Sequence, residues 1–247
     1  MELRTKTGTG AILTILLLSS GPWLPAQTAT VQHRHFRKSG VGELRVTDTG
    51  IVFSERGKTA NHSRVWNYQE IQQLHLGLDE LRILTYEDQT WKLGLDREYV
   101  LGQLPGGFAQ SVSARLRDQL DQRFVTSLDE PASPILWAAP VKLTGRIQGS
   151  QGALRVTADH IVYTTGVPWL SRTWRYDDIE NIASAHPFDL SIVTRERNGL
   201  WNSGAREFRF QLKQPLTEAR FNELWRRLNR TKEMDFIRTS RQEKDNI

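Results

Sequence analysis

The chain contains no cysteine. That excludes disulfides, zinc–thiolate sites and a cysteine nucleophile, and also the lipid-anchored export signal that carries a cysteine at its cleavage site. Long apolar runs are lacking too. Ala11–Ser19 is the apolar stretch near the start, far short of the ~20 residues of a membrane span, and no later segment is apolar enough to cross a bilayer. Charge of one sign is nearly balanced by the other: 33 Lys and Arg stand against 28 Asp and Glu, for a net +5 and a pI near 9.6. An excess this mild permits attraction to anionic surfaces but is no nucleic-acid footprint. No serine–glycine elbow, phosphate loop, dinucleotide fingerprint or His-Glu-x-x-His run occurs in the sequence.

What is present begins with a targeting layout. Arg4 and Lys6 precede the apolar run, Gly21 and Pro22 break it, and Leu24-Pro25-Ala26 offers small residues before Gln27. Basic start, short apolar stretch and cleavable end predict a signal peptide over residues 1–26, with cleavage after Ala26 or, second, after Ala29. The alternative is an uncleaved anchor through residues 11–20. Export of a cysteine-free chain suits a bacterial periplasm or exterior.

The body of the chain is written twice. Leu44-Arg45-Val46-Thr47 and Ile51-Val52-Phe53 return as Leu154-Arg155-Val156-Thr157 and Ile161-Val162-Tyr163. Ser63-Arg64-Val65-Trp66-Asn67-Tyr68 and Ile71 return as Ser171-Arg172-Thr173-Trp174-Arg175-Tyr176 and Ile179. Eleven of the twenty positions across Leu44–Phe53 and Ser63–Gln72 are identical to their counterparts, where chance gives roughly one or two. The division that follows is a first domain over 31–125, a linker over 126–140 carrying Pro131, Pro134 and Pro140, a second domain over 141–230, and a charged, frayed tail over 231–247.

Alternation of apolar and polar residues predicts a hairpin from Leu44 to Phe53 turning at Asp48-Thr49-Gly50, with Trp66 and Tyr68 on one strand face. Further strands are expected at Ile71–Leu76, Leu81–Tyr86, Thr90–Leu95, Leu190–Thr194 and Glu207–Leu212. Glu87-Asp88-Gln89 is expected as a turn, and Arg195–Arg206 as a loop or wide hairpin. Phe108, Val112, Leu116 and Leu120 mark an amphipathic helix. Phe221, Leu224, Trp225 and Leu228 mark a second, capped by Thr217 and stapled by Leu216 and Phe221. Within the linker, Ile135, Leu136 and Trp137 are expected to pack against a domain.

The pattern Gly-x-Leu-x-Val-Thr, Ile-Val-aromatic, Trp-x-Tyr and a following isoleucine resembles the pleckstrin-homology-like superfamily, nearest its GRAM and bacterial branch. Gly42, Leu44, Val46 and Trp66 carry it in the first copy, and Gly152, Leu154, Val156 and Trp174 in the second. The resemblance implies a mainly β chain with α: two tandem domains, each a bent antiparallel seven-stranded half-barrel closed by a C-terminal amphipathic helix. It implies non-catalytic binding, with basic residues around the first two strands as the ligand surface; here these are Arg34, Arg37, Lys38 and Arg45. The phosphoinositide ligand is not carried over, because the dense basic spacing is missing and an exported chain meets none.

The remaining candidates read as structural. His33 and His35, two apart on a strand, lack a third metal ligand and are expected on a solvated face; His62, His75, His160 and His186 are expected at the surface or in loops. Glu70, Asp177 and Asp178 are expected as strand-end or turn residues rather than a catalytic carboxylate pair. Arg64 and Arg172, each two before a tryptophan, are expected to stack on Trp66 and Trp174. The reading is a non-catalytic envelope scaffold needing no metal or cofactor and showing no evident small-molecule substrate. Its partner is an envelope protein, or alternatively an anionic lipid surface; a hydrolase with an unrecognised site is the remaining possibility.

Overall fold

The computed structural model describes residues 26–34, 40–56, 63–89, 92–128, 133–145, 149–197 and 205–230. Leu44 and Val46 point inward from β2 (Gly40–Val46), and Ile51 and Phe53 from β3 (Gly50–Glu55). The same inward alternation runs through β1 (Gln27–Arg34), β4 (Arg64–Asn67), β5 (Ile71–Leu76), β6 (Glu80–Gln89) and β7 (Lys92–Gly102). A helix, α1 (Phe108–Leu120), lays Phe108, Val112, Leu116 and Leu120 over the exposed end of this core. A short strand, β8 (Phe124–Thr126), follows.

The second half repeats the series. Its strands are β9 (Ile135–Thr144), β10 (Ser150–Thr157), β11 (His160–Thr165), β12 (Arg172–Arg175), β13 (Ile179–Ala183), β14 (Asp189–Arg197) and β15 (Ala205–Leu212). A second helix, α2, is helical over residues 218–230. The seven strands are ordered 5-6-7-1-2-3-4 in the first half and 13-14-15-9-10-11-12 in the second, which is the same order. β8 joins the halves, parallel to β5 and antiparallel to β12, so that among the described residues fifteen strands form one continuous, unclosed sheet. There are two separate cores, one centred on Trp66, Phe53 and Leu74, the other on Trp174, Tyr163 and Phe210.

The repeated residues each have a local task. Thr47 accepts the Gly50 amide on its hydroxyl and so closes the β2–β3 turn; Thr157 does the same for His160. Tyr68 donates its hydroxyl to the Thr47 carbonyl at 2.6 Å, and Tyr176 to that of Thr157 at 3.0 Å. Burial pushes both phenols up to about 12. Glu70 and Asp178 accept the amides of Asn67 and Arg175 at 2.9 Å, capping the single 3-10 turn in which each tyrosine sits. These carboxylates are turn residues, as expected. Gly42 and Gly152 lie where an added Cβ would stand 2.5 and 2.1 Å from the carbonyls of Ser54 and Thr164.

Several expectations are corrected. Tyr68 and Trp66 are both buried, but Tyr68 has left the strand for the 3-10 turn. Glu87, Asp88 and Gln89 are not a turn; β6 runs through them with register shifts. β7 extends to Gly102, well beyond Leu95. β14 and β15 reach into the expected Arg195–Arg206 loop. The linker is strand at both ends: β8 takes its first residue, and β9 begins at Ile135, with burial alternating from Trp137. The sheet accommodates Pro140 because β15 pairs with β9 only from Val141 onward, and the Pro140 carbonyl still accepts the Lys213 amide. Trp137 packs into the second core, whereas Ile135 and Leu136 remain 56% and 40% exposed. On α2 the buried stripe is Leu224 and Leu228 with Phe221 beside it, while Trp225 is 52% exposed. The segment 231–247 and the proposed signal peptide up to Pro25 lie outside the described residues.

Candidate functional site

The basic set expected around the first strands is only partly described. Arg34 has its backbone on β1 opposite Val100; Arg37 and Lys38 lie outside the described residues. Arg45 is exposed on β2 and donates to Glu43 at 3.1 Å. It stands opposite Thr28, six residues along β1 from Arg34, a span of about 20 Å at strand rise. Those two arginines are not brought together.

The two halves, however, build a groove where they meet. On β5 to β7 one residue set faces the first core: Leu74, Leu76, Leu81, Ile83, Tyr99 and Leu101. The alternate set, Gln73 and His75, Arg82 and Leu84, Asp96 and Glu98, faces the other way and forms the groove floor. Val125 continues this floor, and the wall comes from the second half through Arg172, Glu196, Arg206 and the turn carrying Trp169. The cavity has a volume of about 470 Å³. A second cavity of about 610 Å³ shares His75, Arg82 and Trp169 with it and reaches Leu78, Asp79 and Gln110. Trp169 is 46% exposed on the rim of both.

The wall is held by a buried ion cluster. Arg172 donates its Nε to Glu196 at 2.9 and 3.1 Å and its Nη1 to the carbonyls of Trp169 and Ser171. Glu196 also accepts the Trp174 indole N–H at 3.1 Å and Arg206 at 3.4 Å. Both side chains of the Arg172–Glu196 pair are only 5% exposed. Across the junction, Arg197 pairs with Asp96 at 3.2 Å and Arg117 with Asp178 at 3.3 Å. His75 shares a 2.8 Å hydrogen bond with Ser127. Burial, and then the charges of Arg172, Arg82 and Arg206, hold its imidazole well below 6.5. Glu98, also of the floor, is pushed above the ordinary carboxylate range by loss of water. The groove's arginines are nearly matched by Glu80, Asp96, Glu98 and Glu196, so its field favours neither sign.

Neither arginine stacks on its expected tryptophan. Arg172 lies 5.8 Å from the Phe208 ring and Arg64 4.7 Å from the Tyr99 ring. The two sites are copies: Arg64, Glu87, Arg97 and Tyr99 in the first half correspond to Arg172, Glu196, Arg206 and Phe208 in the second. Tyr99 donates to Glu87 at 3.0 Å, and Arg64 is ion-paired with the same carboxylate. This second repeated motif was readable in the sequence: Thr85-x-Glu87 returns as Thr194-x-Glu196, and Arg97-Glu98-Tyr99 as Arg206-Glu207-Phe208.

The histidines also depart from expectation. His33 is buried, because it continues the inward register of Ala29 and Val31, and it packs 5.3 Å from the Phe53 ring. His160 is buried at the start of β11, and His75 floors the groove; His186 is exposed, as expected. His35 and His62 lie outside the described residues. Among the described residues no three His, Asp or Glu side chains are grouped to hold a metal ion, and no helix is long and apolar enough to cross a membrane.

No family model matches the chain, and no curated protein does. Among solved structures, it is similar to the C-terminal domain of an unknown protein from Leishmania infantum, at 15% identity and a TM-score of 0.29, over 38% of this chain and 84% of that one. It is also similar to a chain of the Spt16D Pob3N heterodimer, at 11% identity and a TM-score of 0.33, over 78% of this chain and 99% of that one.

Proposed function

We propose that the chain is an exported, non-catalytic scaffold of the cell envelope, built from two pleckstrin-homology-like repeats, that takes a partner protein in the groove between them. The observation that carries the reading is the groove itself: both repeats contribute to it, and it presents an exposed indole over a floor of mixed charge. Aromatic and arginine side chains in a partly desolvated cleft are the usual anchors of protein recognition. The near balance of charge favours a protein surface over an anionic lipid at this place. The seven strands followed by a helix in each half support the resemblance carried by the repeated motif. If the chain is exported, the start of β1 at Gln27 favours cleavage after Ala26, which leaves that strand whole, whereas cleavage after Ala29 removes residues paired with Val46, Arg45 and Leu44.

The test is affinity capture from an envelope extract, with bound proteins and lipids identified at low and high salt. A salt-resistant protein partner, lost at least about tenfold in Trp169→Ala and Arg82→Glu, is the expected result. Capture unchanged in both variants removes the groove from the reading. One observation favours a lipid surface as a second reading: Trp225 is exposed on α2 beside Arg226 and exposed Arg230, the pairing of indole and cation that suits a membrane interface. Salt-sensitive binding to anionic vesicles, abolished by Trp225→Ala, would establish it.

A further inference from the structure

A groove of nearly balanced charge still has a preference, set by which of its charges are already taken. Its arginines all have carboxylates: Arg172 and Arg206 pair with Glu196, Arg197 with Asp96, and Arg82 with Glu80. Glu98 and Asp79 are left over. Both side chains are exposed in the cavities, and neither takes part in an ion pair or hydrogen bond among the described residues. Glu98 stands on β7 opposite Leu84, in the middle of the floor. The surrounding walls have already removed part of its water, which pushes its carboxyl up.

Trp169 lines the same cavity of about 470 Å³. It sits in a 3-10 turn, Pro168–Leu170, closed by the Leu170 amide donating to the Val167 carbonyl. The buried Arg172 donates its Nη1 to the Trp169 carbonyl at 2.6 Å and pins the turn from below. The backbone is therefore fixed while the indole stays out in solvent, so a ligand that meets the ring does not first have to order the turn. The face of an indole attracts a cation, and a carboxylate with no counter-ion attracts the same charge. An entering anion meets the opposite situation, because each arginine must first give up a carboxylate.

We propose that the protein partner is anchored in this groove by a lysine or arginine side chain, held between the Trp169 indole and the Glu98 carboxylate. The inference rests on the reading that the groove takes a protein, and it adds the sign of the charge that the partner must present. Asp79, in the neighbouring cavity, extends the same preference toward Leu78.

The probe is a capped tetra-arginine peptide, titrated into the chain while the indole N–H signal of Trp169 is followed by NMR and assigned by its loss in Trp169→Ala. The peptide is expected to move that signal and to bind Glu98→Gln and Trp169→Ala at least about fivefold more weakly than the parent. A capped tetraglutamate peptide is expected to leave the signal in place. Glu98→Gln removes only the counter-charge of the anchor, whereas Arg82→Glu also breaks the pair with Glu80 and reads the floor as a whole. A Trp169 signal unmoved by tetra-arginine, equal affinity for Glu98→Gln and the parent, or a response to tetraglutamate overturns the proposal. The two readings fail separately. Partner capture lost in Trp169→Ala but kept in Glu98→Gln retains the groove and removes the cation; capture unchanged in both removes the groove itself.

Discussion

Glu196 and Glu87 occupy the same place in the two repeats and face different solvents. Glu196 and its partner Arg172 are each 5% exposed, whereas Glu87 is 49% and Arg64 31% exposed. Removing one charge of a buried pair strands the other without water, at about 3–5 kcal/mol, while a wet pair contributes about 0–1 kcal/mol. Glu196→Gln is therefore expected to lower the urea midpoint by the larger amount with an unchanged slope, and Glu87→Gln by the smaller. Equal effects would show that the burial at the junction does not persist in solution. The tryptophans record the same divergence: Trp174 donates its indole N–H to Glu196, while Trp66 has no hydrogen-bond partner for its own. In the first repeat Glu87 is taken by Tyr99, where the second has Phe208, which carries no hydroxyl.

Among the elements, β8 has the most to hold with the fewest residues. It pairs with β12 at one position, Thr173 opposite Thr126, and the Thr173 hydroxyl donates to the Leu128 carbonyl at 2.6 Å. Thr173→Val leaves that buried carbonyl unpaired, at about 1–3 kcal/mol. The β8 amides are expected to exchange hydrogen faster as a result, while those of β2 and β10 keep their rates. β8 also shows where the sequence is readable. The hairpins and both helices follow from apolar spacing, since burial of one face imposes a period of two or 3.6. β8 and β9 were hidden because three prolines read as a linker, while pairing on alternate sides lets Pro140 sit in a ladder. Trp66 and Tyr68, two apart, read as one strand because the 3-10 turn at Tyr68 is capped by Glu70, not by a glycine or proline. The groove was invisible for a different reason. Gln73, His75, Arg82 and Leu84 read as an ordinary outer face until the second repeat is laid against them, and that placement depends on contacts far apart in the chain. The repeated Thr-x-Glu and Arg-Glu-aromatic motifs were the available signal.

Across the whole molecule, two cores meet through a polar seam with His75 in its floor. The unfolded chain takes up a proton on this histidine as pH falls through 6.5, whereas the folded chain resists protonation until its depressed value is reached. The stability His75 contributes is therefore complete above 6.5 and is lost as pH falls from there toward the folded-state value. Ser127, Arg82, Arg172, Arg206, Glu80, Glu98 and Glu196 surround the seam; Glu98, pushed up by burial, takes its proton more readily in the folded chain and so offsets part of the loss at lower pH. Chemical denaturation at pH 7.5 and 5.5 is expected to show this decline, and His75→Gln is expected to flatten it. A variant as pH-sensitive as the parent would assign the decline to other groups.

The two cores also lie on opposite faces of the sheet: Leu74, Leu76 and Phe124 face the first, while Trp174, on the neighbouring β12, faces the second. Tension drawn across the molecule cannot be shared between the two packed interiors. Among the described residues it falls on β8, on the Thr173–Leu128 hydrogen bond and on the Arg117–Asp178 and Arg197–Asp96 bridges. Under a pulling force the two packed halves are therefore expected to part at this seam before either core opens, giving a small first extension ahead of two larger ones in single-molecule stretching; simultaneous opening of a core with the seam would contradict this.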